Sequence, residues 1–147
     1  MQIDDEVSPA KGELCYEIRR DGRLVESVSG CNLVVVGSKT CLSRLVGGAV
    51  TGKQITTIGF GTSGTAPVAG NTALAGAFTK AVDSVTYPAS NQVRFAFSLT
   101  TAEANGMAIM EFGLLSGDGT LFARKVRSAA FNKDSDVSVA GTWTLTF

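Results

Sequence analysis

The sequence predicts an all-β fold, an antiparallel β-sandwich of jelly-roll type with one short helix. Apolar and polar residues alternate in several short segments, turns rich in Gly, Asp and Asn separate those segments, and only one stretch switches convincingly to a helical period. The clearest alternation places Val93, Phe95, Phe97 and Leu99 on one face and Gln92, Arg94, Ala96 and Ser98 on the other. A slip of one residue would turn both phenylalanines to water, so the register of this strand is fixed. The pattern yields about eight or nine strands, most antiparallel by their turns, and two sheets covering each other's apolar faces form the natural container.

Residues 1–11 show no periodicity, carry Asp4, Asp5 and Glu6, and are punctuated by Pro9; they read as an acidic N-terminal arm ahead of a single domain over residues 12–147. From Gly12 alternation begins, with Leu14, Tyr16 and Ile18 facing one way, and Asp21-Gly22 turns the chain into Arg23 to Val28 as a first hairpin. Asn32 to Val36 is a short Val-rich run, expected as a strand buried on both faces. Ser38 is placed to cap a helix in which Cys41, Leu42, Leu45 and Val46 make an apolar stripe, and Gly47-Gly48 ends it.

Ile55 to Phe60 is a further strand, followed by a loop of small residues from Gly61 to Asn71. Asn71 is expected to cap one helical turn through Ala77, and Thr79 to Tyr87 reads as a strand stopped by Pro88. Two apolar runs between Met107 and Lys125 fold about Ser116 to Gly119, a hairpin whose Gly117 and Gly119 supply positive-φ positions. A break near Ala129 to Asp134 precedes a last strand with Val137, Val139, Trp143, Leu145 and Phe147 on one face. Gly141 falls on that apolar face, which signals a bulge or a close contact.

Composition excludes several functions. The chain of 147 residues is one domain's worth, and thirteen basic residues balance thirteen acidic ones, so no global field draws it to nucleic acid or an anionic membrane. It contains no histidine, which removes the usual general base and the commonest metal ligand. Lysine or paired-carboxylate chemistry would need Lys80, Lys125, Asp83 and Glu111 to meet, and nothing in their spacing argues that they do. Cys15, Cys31 and Cys41 form no C-x-x-C pair and read as reduced, partly buried thiols, in keeping with assembly in a reducing cytoplasm. No catalytic, cofactor or metal site is expected, and no run reaches the length of a membrane span.

Three segments carry a resemblance in the same order. Asn32-Leu-Val, then Ile58-Gly-Phe-Gly-Thr-Ser-Gly-Thr-Ala-Pro67 with Asn71-Thr-Ala-Leu74, then Glu111-Phe-Gly-Leu-Leu-Ser-Gly-Asp-Gly-Thr-Leu-Phe122 resemble structural proteins of tailed bacteriophages. The chain looks most like their small tail-fibre, collar and baseplate-associated domains. The resemblance implies a non-enzymatic virion component, a homo-oligomer assembled in the host cytoplasm whose partners are other virion structural proteins. A capsid decoration or cement protein is the alternative within the class, because those are also small β-sandwiches.

Within that reading the loop Gly61, Thr62, Ser63, Gly64, Thr65, Ala66 and Pro67 is the candidate subunit contact, its small residues permitting close backbone approach. A phosphate-cradle reading fails, since no Gly-Lys-Ser/Thr ending follows. Arg124, Lys125 and Arg127 form a candidate basic edge, read as solvated or partner-facing because three charges supply only a few phosphate contacts. A host-receptor or glycan-binding module is the outside alternative, but the single tryptophan, Trp143, lies on an apolar face and reads as core. Glu103, Glu111 and Asp118 sit near turns and strand exteriors and do not argue for a catalytic carboxylate pair.

Overall fold

The structure is a computed structural model that describes residues 10–147. The proposed arm, residues 1–11, lies outside the described residues except for Ala10 and Lys11, and Lys11 already belongs to the first strand. Among the described residues the strands are β1 (Lys11–Arg20), β2 (Arg23–Val34), β3 (Ile55–Gly61), β4 (Phe78–Ala81), β5 (Ser84–Thr86), β6 (Gln92–Leu99), β7 (Met107–Ser116), β8 (Leu121–Lys133) and β9 (Val137–Thr146), with one helix, α1 (Gly37–Val46).

All pairings are antiparallel, as the turns predict, and the nine strands run in the order β4-β3-β7-β8-β2-β1-β9-β6-β5. They form one continuous sheet curled into a half-barrel. Two strands explain the curl. The first part of β2 pairs with β1 through Asn32, and its end, Leu33 and Val34, pairs instead with Ala123 and Arg124 of β8. At the opposite side the Val82 N–H donates to Thr56 O of β3, and the N–H of the next residue, Asp83, donates to Ala96 O of β6. One segment therefore links both margins of the sheet.

The curl turns two apolar faces toward each other. Phe60 of β3 meets Phe97 of β6 at 6.1 Å between ring centroids and Phe112 of β7 at 5.3 Å, while Tyr16 of β1 lies 4.7 Å from Phe112. Offset and edge-on rings of this kind add to their area burial. Leu14, Tyr16 and Ile18, and Phe95, Phe97 and Leu99, are buried as their alternation requires. Trp143 is a core residue, fully buried, and its indole N–H donates to Asn32 Oδ1 at 2.8 Å. Gly141 marks a close contact rather than a bulge: β9 stays in register with both neighbours, and a Cβ there would stand 2.5 Å from Cys15 O and 2.7 Å from the Phe97 ring.

Several sequence expectations are corrected. Arg23 to Val28 and Asn32 to Val36 are not separate strands; β2 is continuous to Val34, and Val36 is exposed. Ser38 is buried in the first turn of α1 without a side-chain cap bond. Residues 72–77 form no helical turn, and the Thr79 to Tyr87 strand is divided into β4 and β5 where it changes partners. β8 continues to Lys133 as one strand, but its pairing with β7 is interrupted between Val126 and Phe131, so the break expected near Ala129 to Asp134 is a bulge over residues 127–130. Of the hairpin glycines only Gly119 takes a positive φ, and Phe147 is half exposed beyond β9. Cys41 is buried as expected, whereas Cys31 is exposed.

Candidate functional site

The loop after β3 and the β7–β8 hairpin, far apart in sequence, form one site. On the outer face of the curled sheet Gly59 of β3 pairs with Gly113 of β7, so two adjacent positions present bare backbone. Leu74 fills that floor: its Cδ1 would stand 2.7 Å from a Cβ at Gly59 and 2.8 Å from one at Gly113. Glycine is needed here for close approach, since any side chain would displace the leucine. The returning part of the loop thus covers a sheet face that would otherwise lie open.

Beside the leucine sits a buried ion pair. Glu111 and Arg124 lie diagonally across the β7–β8 ladder, where Gly113 faces Arg124, and both side chains are almost wholly buried. Glu111 Oε2 accepts from Arg124 Nε at 2.6 Å, while Oε1 accepts from the backbone N–H of Ala75 at 2.7 Å and of Ser63 at 3.3 Å. Arg124 also donates to Asn71 Oδ1 at 3.0 Å and to Ser63 O at 3.4 Å. Asn71 Oδ1 in turn accepts from the Val68 N–H at 2.9 Å. A buried pair of this kind is tolerated because further hydrogen bonds satisfy the remaining atoms, and here those bonds all go to the loop. Gly61 is also required, because a Cβ there would collide with the Glu111 carboxylate.

The result is a clasp with two sides. Gly61 is buried and Ser63 partly so, and between them and Asn71 the residues Thr62, Gly64, Thr65, Ala66 and Pro67 stand exposed. Val36 N–H donates to Ala69 O, tying the far end of the loop to the start of α1. The candidate contact loop is thus presented by a fixed base.

The candidate basic edge is not an edge. β8 lies between β7 and β2, and the three candidate cations are each engaged. Arg124 belongs to the buried pair, Lys125 Nζ donates to Cys31 O at 2.7 Å, and Arg127 donates to Glu26 at 2.9 Å and to the Tyr16 hydroxyl, stacking 4.8 Å over Phe131. Burial pushes the Tyr16 hydroxyl above its usual range, against the opposing pull of Arg127.

Other ionisable groups are also held apart. Lys80 pairs with Glu103 at 2.9 Å, and the Thr100 N–H together with Lys80 holds the Glu103 carboxyl below its usual range. Asp118 closes the β7–β8 turn, accepting from Lys53 at 2.5 Å, from Ser116 and from Thr120, which hold its carboxyl well below the usual range. Among the described residues no three His, Cys, Asp or Glu side chains gather as a metal site, and no helix is long and apolar enough to cross a membrane.

A second concavity opens at one end of the half-barrel. A cleft of about 730 Å3 lies between α1, which contributes Leu42 and Leu45, and the sheet ends carrying Phe95, Phe122 and Leu145. Val85, Tyr87 and Phe147 form its outer lip. Compared with protein-family models, curated proteins and solved structures, the chain matches none.

Sequence reasoning missed the Glu111–Arg124 pair. The signal was present: a lone acid inside the apolar run Met107 to Leu115, across a hairpin from Arg124, the first base after the apolar Leu121-Phe-Ala. Opposite charges facing each other in two apolar strands are more economically explained by mutual burial than by two solvated positions.

Proposed function

We propose that this chain is a non-enzymatic structural protein of a tailed-bacteriophage virion. More specifically, we read it as an oligomeric tail-associated component of fibre, collar or baseplate type, assembled in the host cytoplasm and binding neighbouring virion subunits. One observation carries the reading: the residues that bear the resemblance, Gly59, Gly61, Ser63, Asn71, Leu74, Glu111 and Gly113, meet in space at one clasp. Their shared task is to hold a short exposed loop of small residues in a fixed shape. A rigid surface of that kind loses little entropy when a neighbouring subunit is pressed against it. The finer fold assignment belongs to the same proposal, with the two facing halves of the curled sheet serving as the layers of a jelly-roll sandwich.

The test is location. Particles assembled in a host expressing an epitope-tagged chain are labelled with gold-conjugated antibody and imaged. Label on the tail is expected, and Thr65→Arg with Ala66→Arg should abolish incorporation while leaving the purified protein folded. Label on the head would replace the tail component with a decoration protein, and particles free of label would sink the virion reading.

A further inference from the structure

We infer that Lys133 and Asn105 become joined by an intramolecular amide bond, Lys133 Nζ replacing the side-chain nitrogen of Asn105 and releasing ammonia. The inference goes beyond the proposed function, since it concerns the end of β6 away from the cleft and holds whatever particle the chain belongs to.

Lys133 is the last residue of β8 and is fully buried. Its ammonium would lack a counter-ion: among the described residues it makes no ion pair, Glu103 is taken by Lys80, Asp136 by Arg20, and Asp134 stands exposed. An unpaired charge is costly in such a place. Burial therefore lowers the affinity of Lys133 for a proton, against the opposing pull of Glu103, Asp134 and Asp136, and favours the neutral amine. That is the nucleophilic form.

The electrophile is already in contact. Lys133 Nζ donates to Asn105 Oδ1 at 2.8 Å and to Asp134 O at 3.1 Å, so the amine touches the oxygen bonded to the carbon it attacks. The turn that carries Asn105 is fixed: Asn105 Nδ2 donates to Thr101 O at 2.9 Å, and Glu103 accepts from Lys80 and from the Thr100 N–H. Ala104, just before it, is held at φ 55, a conformation rare outside glycine and a mark of a backbone constrained by its surroundings. The rival nucleophile is occupied, because the Gly106 N–H that would close an imide ring on Asn105 donates instead to Lys133 O at 2.8 Å.

In the reaction Nζ bonds to Cγ of Asn105, the Cγ–Nδ2 bond breaks, and one amine proton passes to the departing nitrogen, which leaves as ammonia. No oxidant, metal or further reactant is required. Amides are poor acyl donors, so linkage follows folding slowly: the free amine belongs to the freshly folded chain, and the amide to the chain as it ages. The product ties the β6–β7 turn covalently to the end of β8.

Mass spectrometry of the purified chain, fresh and after several days at mildly alkaline pH, tests this. The aged chain should be lighter by one ammonia, and trypsin should release residues 95–124 joined to residues 128–147, because an acylated Lys133 is no longer cut. Lys133→Met and Asn105→Ser should each abolish the branched peptide. Asn105 is exposed, so the second variant keeps its fold, which emission from the buried Trp143 reports. An unchanged mass, a loss of ammonia that leaves the two peptides separate, as an imide between Asn105 and Gly106 would, or a branched peptide that persists in Asn105→Ser would overturn the inference.

Discussion

Replacing Glu111 by Gln keeps the shape of the side chain and removes its charge, leaving the Arg124 guanidinium buried without an anion. Removing one partner of a buried pair costs about 3–5 kcal/mol, because the remaining charge is neither solvated nor compensated. The amide oxygen of Gln can still accept from Ala75, whose bond to Oε1 is 2.7 Å, so the lower end of that range, about 3 kcal/mol, applies. For a chain of 147 residues this corresponds to a fall in melting temperature of roughly 10 °C. Urea unfolding followed by Trp143 emission gives the free energy, and amide hydrogen exchange at Ser63 and Ala75 reports the loop. Both amides should lose protection in the variant, because their acceptor is weakened or turned away. A double variant, Glu111→Leu with Arg124→Met, should lose less stability than Glu111→Gln alone, since no unpaired charge remains. A loss below about 1 kcal/mol, with Ser63 and Ala75 as protected as before, would show that the pair does not hold the clasp.

Gly113→Ala should destabilise by about 1–3 kcal/mol in thermal unfolding, and Leu74→Ala in the same chain should recover part of the loss by clearing the collision. Gly141→Ala should be worse, at the upper end of that range or beyond, because its Cβ meets the Cys15 carbonyl and no flexible side chain can yield. Asp118 titrates below its unfolded value of about 3.9, so its contribution is complete above that pH and is lost as pH falls through the folded value. Urea titrations across the acid range should show a shallower decline for Asp118→Asn. Lys133 is fully buried, donating to Asn105 and to the Asp134 carbonyl, and burial lowers its affinity for a proton. The unfolded chain then holds that proton more tightly, so stability should rise with pH between the folded value and about 10.4. Lys133→Met should remove that rise in unfolding curves taken on the alkaline side.

What was legible in the sequence is what depends on local period. The alternation of β6 and the faces of β1 and β9 follow from side chains pointing to opposite sides of a strand, and the Asp21-Gly22 turn follows from the positive φ that both residues adopt. The helix was found through its stripe, of which Cys41, Leu42 and Leu45 turn inward, although Val46 of that stripe is exposed and Ser38 is buried without a cap bond. What escaped is what depends on partners distant in sequence. Thr79 to Tyr87 reads as one strand because its residues share one pattern, and only the positions of β3 and β6 divide it. The Gly61 loop was correctly marked as a place of close backbone approach, but the approach is internal at Gly59, Gly61 and Gly113. Arg124 looked like surface charge because its acid lies thirteen residues earlier, across the hairpin.

The position of β9 between β1 and β6 has a consequence for how the chain is made. During synthesis, β1 and β6 emerge before the strand that separates them, each with one long margin unsatisfied and with Leu14, Tyr16, Ile18, Phe95, Phe97 and Leu99 awaiting cover. The ladder that completes β1 joins residues far apart in sequence, from Arg20 with Val137 to Lys11 with Thr146, and contacts of such separation form slowly. A nascent chain paused before Val137 is therefore the species most exposed to aggregation and to holding chaperones, and a ribosome-release assay on chains truncated there would find it insoluble where the full chain is not.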